Sequence, residues 1–229
     1  MLDASQSSYW NQEGPAKTFS HPLNMDCLRE HLNPDARILD YGCGYGRVAA
    51  MLHDEGYREV VGVDAASGMI ERARRLHPQL SFRRITPPNV FFPDEFFDAV
   101  LLFAVLTCIP ADDDQKAVID EAFRLTRPGG FLYISDLWLQ TDERNRRRYA
   151  QFANRLPYGV FEVVEGVAVR HHSRQWIASL LCQWETIASC DIQVTTMNGH
   201  EAAGFQWLGR KQKRGRNDCS VLATQQETG

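Results

Sequence analysis

The stretch "ILDYGCGYGR", Ile38 to Arg47, sets a carboxylate, Asp40, two residues ahead of glycines at alternate positions, Gly42, Gly44 and Gly46. Glycines so placed let a backbone approach a ligand closely. A P-loop needs GxxxxGK[ST], with its lysine on the phosphates, and that lysine is missing. A dinucleotide fingerprint needs GxGxxG, and the spacing here is GxGxG. An acid at the end of the next apolar run, Asp64 in "VVGVD", suits ribose hydroxyls in either kind of site. Asp40 discriminates: a carboxylate there repels a pyrophosphate across a poorly screened gap and suits a ligand with a cationic end.

S-adenosylmethionine has an ammonium, a sulfonium and a ribose, and no phosphate. The turn is therefore expected to pack against an adenosyl amino acid. Other chemistry-bearing residues are scattered. "RHH", Arg170 to His172, offers a bidentate carboxylate binder and two histidines able to serve as a base near neutral pH. Asp136 closes an apolar run and is expected to point into the cleft as a partner for an amine or a base, with Tyr158 the next candidate. Phe161 is expected to wall the substrate pocket, and Asn198 in "TMNG" to reach it from a tight turn. Near the start, Tyr9, Trp10 and Phe19 can face a sulfonium through their ring faces, and Lys17 can pair with a carboxylate.

These residues need a scaffold, and the rest of the chain reads as one. Its 229 residues are 44% hydrophobic and 24% charged, ordinary for one globular domain. The formal net charge of -4 favours neither nucleic acid nor an anionic membrane surface. The arginines of "TDERNRRRYAQ" crowd one helix and cannot all face one way, and no stacking aromatics are interleaved as a single-strand binder requires. The six cysteines lack CxxC spacing and read as reduced thiols of a cytoplasmic protein; no metal site is expected. No secretory leader is expected at "MLDASQSSYW".

Strand-like runs ("ARILDY", "EVVGVD", "LSFRRI", "FDAVLLFAVL", "FLYISDL") alternate with helix-like ones, and "RPGG" reads as a turn. That rhythm predicts an α/β fold: a Rossmann-like, doubly wound, mostly parallel sheet of seven strands with helices on both faces. After the fifth strand a helix and a hairpin turning at Glu165-Gly166 form an insertion, residues 138–181, on the substrate side. Residues 1–30 are expected to be an arm closing over the cofactor. A single domain is expected over 1–212, with a polar, flexible tail over 213–229.

"ILDYGCGYGRVAAML", "VVGVDAASGMIERAR", "FFDAVLLFAVLTCI" and "RLTRPGGFLYISD" together resemble the ordered motifs of class I S-adenosylmethionine-dependent methyltransferases. By that resemblance Asp40, Gly42, Cys43 and Gly44 lie along the methionine and ribose. Asp64 takes the ribose hydroxyls, Ala65 lies beside the adenine, and Phe103 and Ala104 line the sulfonium. The family's acid after the third strand is missing from "ITPPNVFFPD", so Thr86, Asn89 or a backbone carbonyl is left for the adenine. "YWNQEGPAKTFSHPL" and "TTMNGHEAAGFQWLGRK" resemble a subgroup of small bacterial enzymes of the class. The resemblance implies methyl transfer to a small molecule, at O, N or C, in secondary metabolism. One alternative is a cyclase that turns the cofactor's own amine on its γ-carbon, giving azetidine-2-carboxylate and methylthioadenosine. Another is a non-catalytic S-adenosylmethionine binder.

Overall fold

The computed structural model describes residues 9–18, 20–163 and 167–212. Phe19, the Glu165-Gly166 turn and the 213–229 tail lie outside the described residues. The β-branched and apolar runs form β1 Arg37–Tyr41, β2 Glu59–Asp64, β3 Ser81–Arg84, β4 Phe97–Phe103 and β5 Thr126–Leu137. They pair in parallel and join β9 Glu201–Lys211 and β8 Trp184–Thr195 antiparallel, giving a seven-stranded sheet in the order β3-β2-β1-β4-β5-β9-β8.

Successive strand residues feed opposite faces, as pleating requires. Leu39, Val100, Leu102, Leu132 and Ile134 enter one core, against Val118 and Ile119 of α4 (Asp112–Leu125) and Ile177 of α6 (Arg174–Leu180). Ile38, Ala99, Leu101, Phe131 and Tyr133 enter the other. There they meet Leu28 of α1 (Met25–His31), Leu52 of α2 (Arg47–Asp54) and Ile70 of α3 (Ser67–Leu76). Burial on both faces explains why these strands read as unbroken apolar runs.

Two local expectations are corrected. "RPGG" is not a turn but a bulge within β5: pairing to β4 steps from Phe97–Thr126 to Ala99–Phe131, and Gly129 sits at φ +79°. β4 stops at Phe103 because Ala104 takes φ +55°, a left-handed conformation costly for a side chain, with its N–H donating to Ser135 O at 2.8 Å.

After β5 the chain forms α5 (Glu143–Phe152), capped by Asp142, and the hairpin β6 Val160–Glu162 with β7 Ala168–Arg170. Tyr149, Phe161, Val167 and Val169 of this insertion pack with Tyr9 in a separate apolar cluster. The N-terminal segment thus links the insertion to α3: Tyr9 docks on the insertion, and Asn11 Oδ1 accepts from Ser67 Oγ (2.9 Å) and Gly68 N–H (3.3 Å) at the start of α3. Among the described residues no helix is long and apolar enough to cross a membrane.

Candidate cofactor and acceptor site

Strand order reverses between β1 and β4, and a cavity of about 560 Å³ opens beyond their carboxyl ends. That volume falls within the range of small-molecule sites. The glycine turn builds one wall. Gly42, Gly44 and Gly46 all take left-handed φ (+73°, +53° and +84°), which only glycine adopts without strain. Gly42 and Cys43 N–H both donate to Val63 O, at 2.8 and 2.9 Å, pinning the turn to β2.

Asp64 is held from two sides. Its Oδ2 accepts from Gly44 N–H at 2.9 Å and its Oδ1 from Ala66 N–H at 2.8 Å. Both bonds favour the carboxylate against the upward pKa shift of burial, and its remaining lone pairs are available at the cavity wall. Asp40, 1% exposed, accepts from Ala49 N–H at 3.2 Å, and burial pushes its pKa up to about 7. A buried acid so raised is eased by a cationic ligand. Ala65, Phe103 and Ala104 complete this end with Cys43. Pinned turn, bracketed acid and raised acid suit an adenosyl amino acid with vicinal hydroxyls and an ammonium.

Two contacts differ from expectation. Tyr9 and Lys17 do not line the cavity, although Trp10 does. Tyr9 is buried in the insertion cluster, and the Lys17 ammonium lies 6.0 Å from the Tyr9 ring. Arg47, which the sequence reading missed, lines the cavity instead, with one guanidinium nitrogen donating to His21 O at 2.7 Å. Its signal was its place directly after the last glycine. Past β3, Thr86 and Asn89 bridge to each other away from the cavity, and Ile85, Pro87 and Pro88 line it.

The far end of the cavity is formed by α5, the hairpin and the β8–β9 turn, through Arg144, Arg148, Phe161, His171 and Asn198. Several expected catalytic residues lie elsewhere. Asp136 is fully buried behind the wall, accepting from Leu137 N–H (2.8 Å) and Thr107 N–H (3.2 Å), with its pKa pushed up to about 7 by burial. It anchors the segment after β4. His172 is also internal: its Nδ1–H donates to Leu137 O at 3.1 Å, so its Nε2 accepts from the Gln115 amide at 3.0 Å. Burial takes its pKa down to about 3, leaving a neutral ring with both nitrogens occupied. Arg170 ties the hairpin to α4, pairing with Asp112 Oδ1 at 2.6 Å and donating to Pro110 O at 3.0 Å. Tyr158 is 55% exposed with its ring edge on Tyr149, outside the cavity.

His171 does line the cavity, but as a donor. Its Nδ1 lies 2.6 Å from the Tyr149 hydroxyl, which also accepts from Gln140 N–H at 3.1 Å. The buried phenol proton has no other acceptor among the described residues, so it goes to Nδ1. Burial lowers the His171 pKa to about 3, so the ring is neutral and its proton sits on Nε2. Among the described residues no group of three or more His, Cys, Asp or Glu side chains can hold a metal.

Comparison with known proteins agrees with this geometry. A methyltransferase domain family model matches residues 39–134. A ubiquinone biosynthesis O-methyltransferase of Alkalilimnicola ehrlichii is 31% identical over 65% of this chain and 60% of its own. The human eEF1A lysine and N-terminal methyltransferase is 27% identical over 49% of this chain and 17% of its own. The chain thus spans less than two thirds of the length of either curated relative. A solved S-adenosylmethionine-dependent methyltransferase from Methanosarcina mazei superposes with a TM-score of 0.77 at 26% identity, covering 81% of this chain and 97% of that one. The matched segment is a methyltransferase domain, and the fold is that of class I S-adenosylmethionine-dependent methyltransferases.

Proposed function

We propose that the protein moves the methyl group of S-adenosylmethionine to a small-molecule acceptor, an O, N or C nucleophile of secondary metabolism. One observation carries this reading: the same cavity that the glycine turn and Asp64 line also extends to residues of α5, the hairpin and the β8–β9 turn, a far chamber beyond the cofactor wall on this reading. A cyclase acting on the cofactor alone needs no such chamber. A non-catalytic binder of the cofactor would share the bracketed Asp64 but would not need the chamber.

The bound cofactor supplies an electrophilic methyl on its sulfonium. The chain's part is to hold, align and dry. Asp64 receives the ribose hydroxyls, Asp40 the ammonium and Arg47 the carboxylate. Trp10 and the N-terminal segment cover the chamber, keeping water from the reacting atoms. Phe161 and His171 orient the acceptor, the first by contact and the second through its Nε2–H, so that the nucleophile meets the methyl in line.

The test uses S-adenosylmethionine carrying a deuterated methyl, incubated with the protein and a cell extract, then separated by size. Label in a small-molecule fraction supports the reading. Label confined to macromolecules, as the relatives named for eEF1A would give, overturns the small acceptor.

A further inference from the structure

We infer that the acceptor bears a carboxylate-class anion, received by Arg144 and Arg148 together with the Nε2–H of His171. This rests on the far chamber being the acceptor's.

Arg144 and Arg148 stand one helical turn apart on the same face of α5, and both line the cavity. Like charges at that spacing repel, and folding tolerates them best where an anion joins them. Neither makes an ion pair among the described residues. Their neighbour Arg147, on another face, does, with Glu143 at 2.8 Å. Asp142 acts on both arginines through space without pairing, since its oxygens serve Asn145: Oδ1 accepts from the backbone N–H at 3.1 Å and Oδ2 from the side-chain amide at 2.7 Å.

The cluster is fixed in place. The Arg148 guanidinium lies 3.8 Å over the Phe161 ring and donates to Asn145 Oδ1 at 3.3 Å. Phe161 in turn meets the His171 ring at a centroid distance of 5.0 Å. His171 is 5% exposed, and its Nε2 has no partner among the described residues. With no protein partner and its ring on the lining, that N–H faces the cavity and is open to an acceptor there. Two guanidinium forks and one neutral N–H donate and accept nothing, a set that matches an oxyanion. Glu162 also borders the chamber but is exposed at its rim. Leu156, Phe161 and Val169 give the chamber an apolar side, so the anion sits at one end of a largely apolar molecule.

The test is calorimetric titration of protein saturated with S-adenosylhomocysteine. Matched probes are para-hydroxybenzoate against para-hydroxybenzamide, and indoleacetate against indoleacetamide. The acids should bind about tenfold or more tightly than their amides, the scale of a charge-assisted hydrogen bond. Arg148→Gln should erase that preference, Arg144→Gln should reduce it, and Arg147→Gln should leave it intact. Each variant's affinity for S-adenosylhomocysteine reports its folding, and Arg148→Lys, keeping the charge without the fork, should fall between. Equal binding of acid and amide, no retention of any probe by protein that binds S-adenosylhomocysteine, or equal loss in Arg147→Gln would overturn the inference. Failure of the methyl-transfer reading would show separately, as breakdown of S-adenosylmethionine without an acceptor, which this binding measurement does not register.

Discussion

Gly42→Ala tests the cofactor wall at its tightest point. Gly42 sits at φ +73°, and a Cβ there would lie 2.5 Å from Val105 Cγ2. Two independent penalties follow. The left-handed conformation costs an alanine about 1–2 kcal/mol. The overlap with Val105 adds about 1–3 kcal/mol, the usual range for an overpacked site. The turn cannot slide away, because its N–H groups are bonded to Val63 O. Together the single variant should lose about 2–5 kcal/mol. Val105→Ala alone should cost about 2 kcal/mol for the buried carbons removed. In the double variant the overlap vanishes and the backbone penalty stays. It should therefore be more stable than the sum of the singles by about 1–3 kcal/mol. Urea unfolding of the four proteins gives this cycle, with S-adenosylhomocysteine affinity measured alongside. Additivity within about 0.5 kcal/mol would mean that Val105 does not bear on the turn. An unperturbed Gly42→Ala would refute the left-handed geometry itself.

Three further outcomes are expected. Asp64→Asn keeps the shape but turns an NH2 towards either Gly44 N–H or Ala66 N–H; calorimetry should show cofactor affinity weakened by about tenfold or more, and wild-type affinity would remove Asp64 from the site. Asp40, raised to about 7 in the free protein, must ionise to meet an ammonium, so S-adenosylhomocysteine affinity should rise with pH up to about 7 and level off above it. Asp40→Asn should bind weakly without that slope, and a sloping variant would point to another group. Asp136 keeps its proton to about pH 7 when folded, whereas an unfolded chain releases it near 3.9. Its stabilising contribution is therefore complete below the unfolded value and lost as pH rises through the folded one. Relative to wild type, Asp136→Asn should gain stability between about pH 4 and 7 in urea titrations. A constant difference would mean that Asp136 is ionised throughout.

What the sequence made legible was local. Asp40, the alternating glycines and Asp64 lie within strand ends and one turn, where type and spacing dictate geometry. The parallel strands announced themselves because both faces are buried. What it hid was long-range. Arg170 reads as a free cation at a strand end until folding brings Asp112 to 2.6 Å. His172 and Asp136 differ from cavity-facing residues only by which side of a wall they occupy. His171 was read as a base, and only the Tyr149 hydroxyl, supplied by α5, assigns its proton to Nε2. The arginines of α5 were judged unable to face one way, and they do divide: Arg147 pairs outward with Glu143, while Arg144 and Arg148 border the cavity. The spacing of four was the signal for that pair, masked by the charged residues between.

If the cofactor's methyl leaves only for a separate acceptor, S-adenosylmethionine alone stays intact on the protein. The direct measurement is mass spectrometry of S-adenosylmethionine incubated with the purified protein, without and with candidate small nucleophiles, against an enzyme-free control. Methyl transfer gives intact cofactor when it is alone and S-adenosylhomocysteine with a methylated product once an acceptor is supplied. Enzyme-dependent methylthioadenosine and a four-membered cyclic amino acid from the cofactor alone would contradict it.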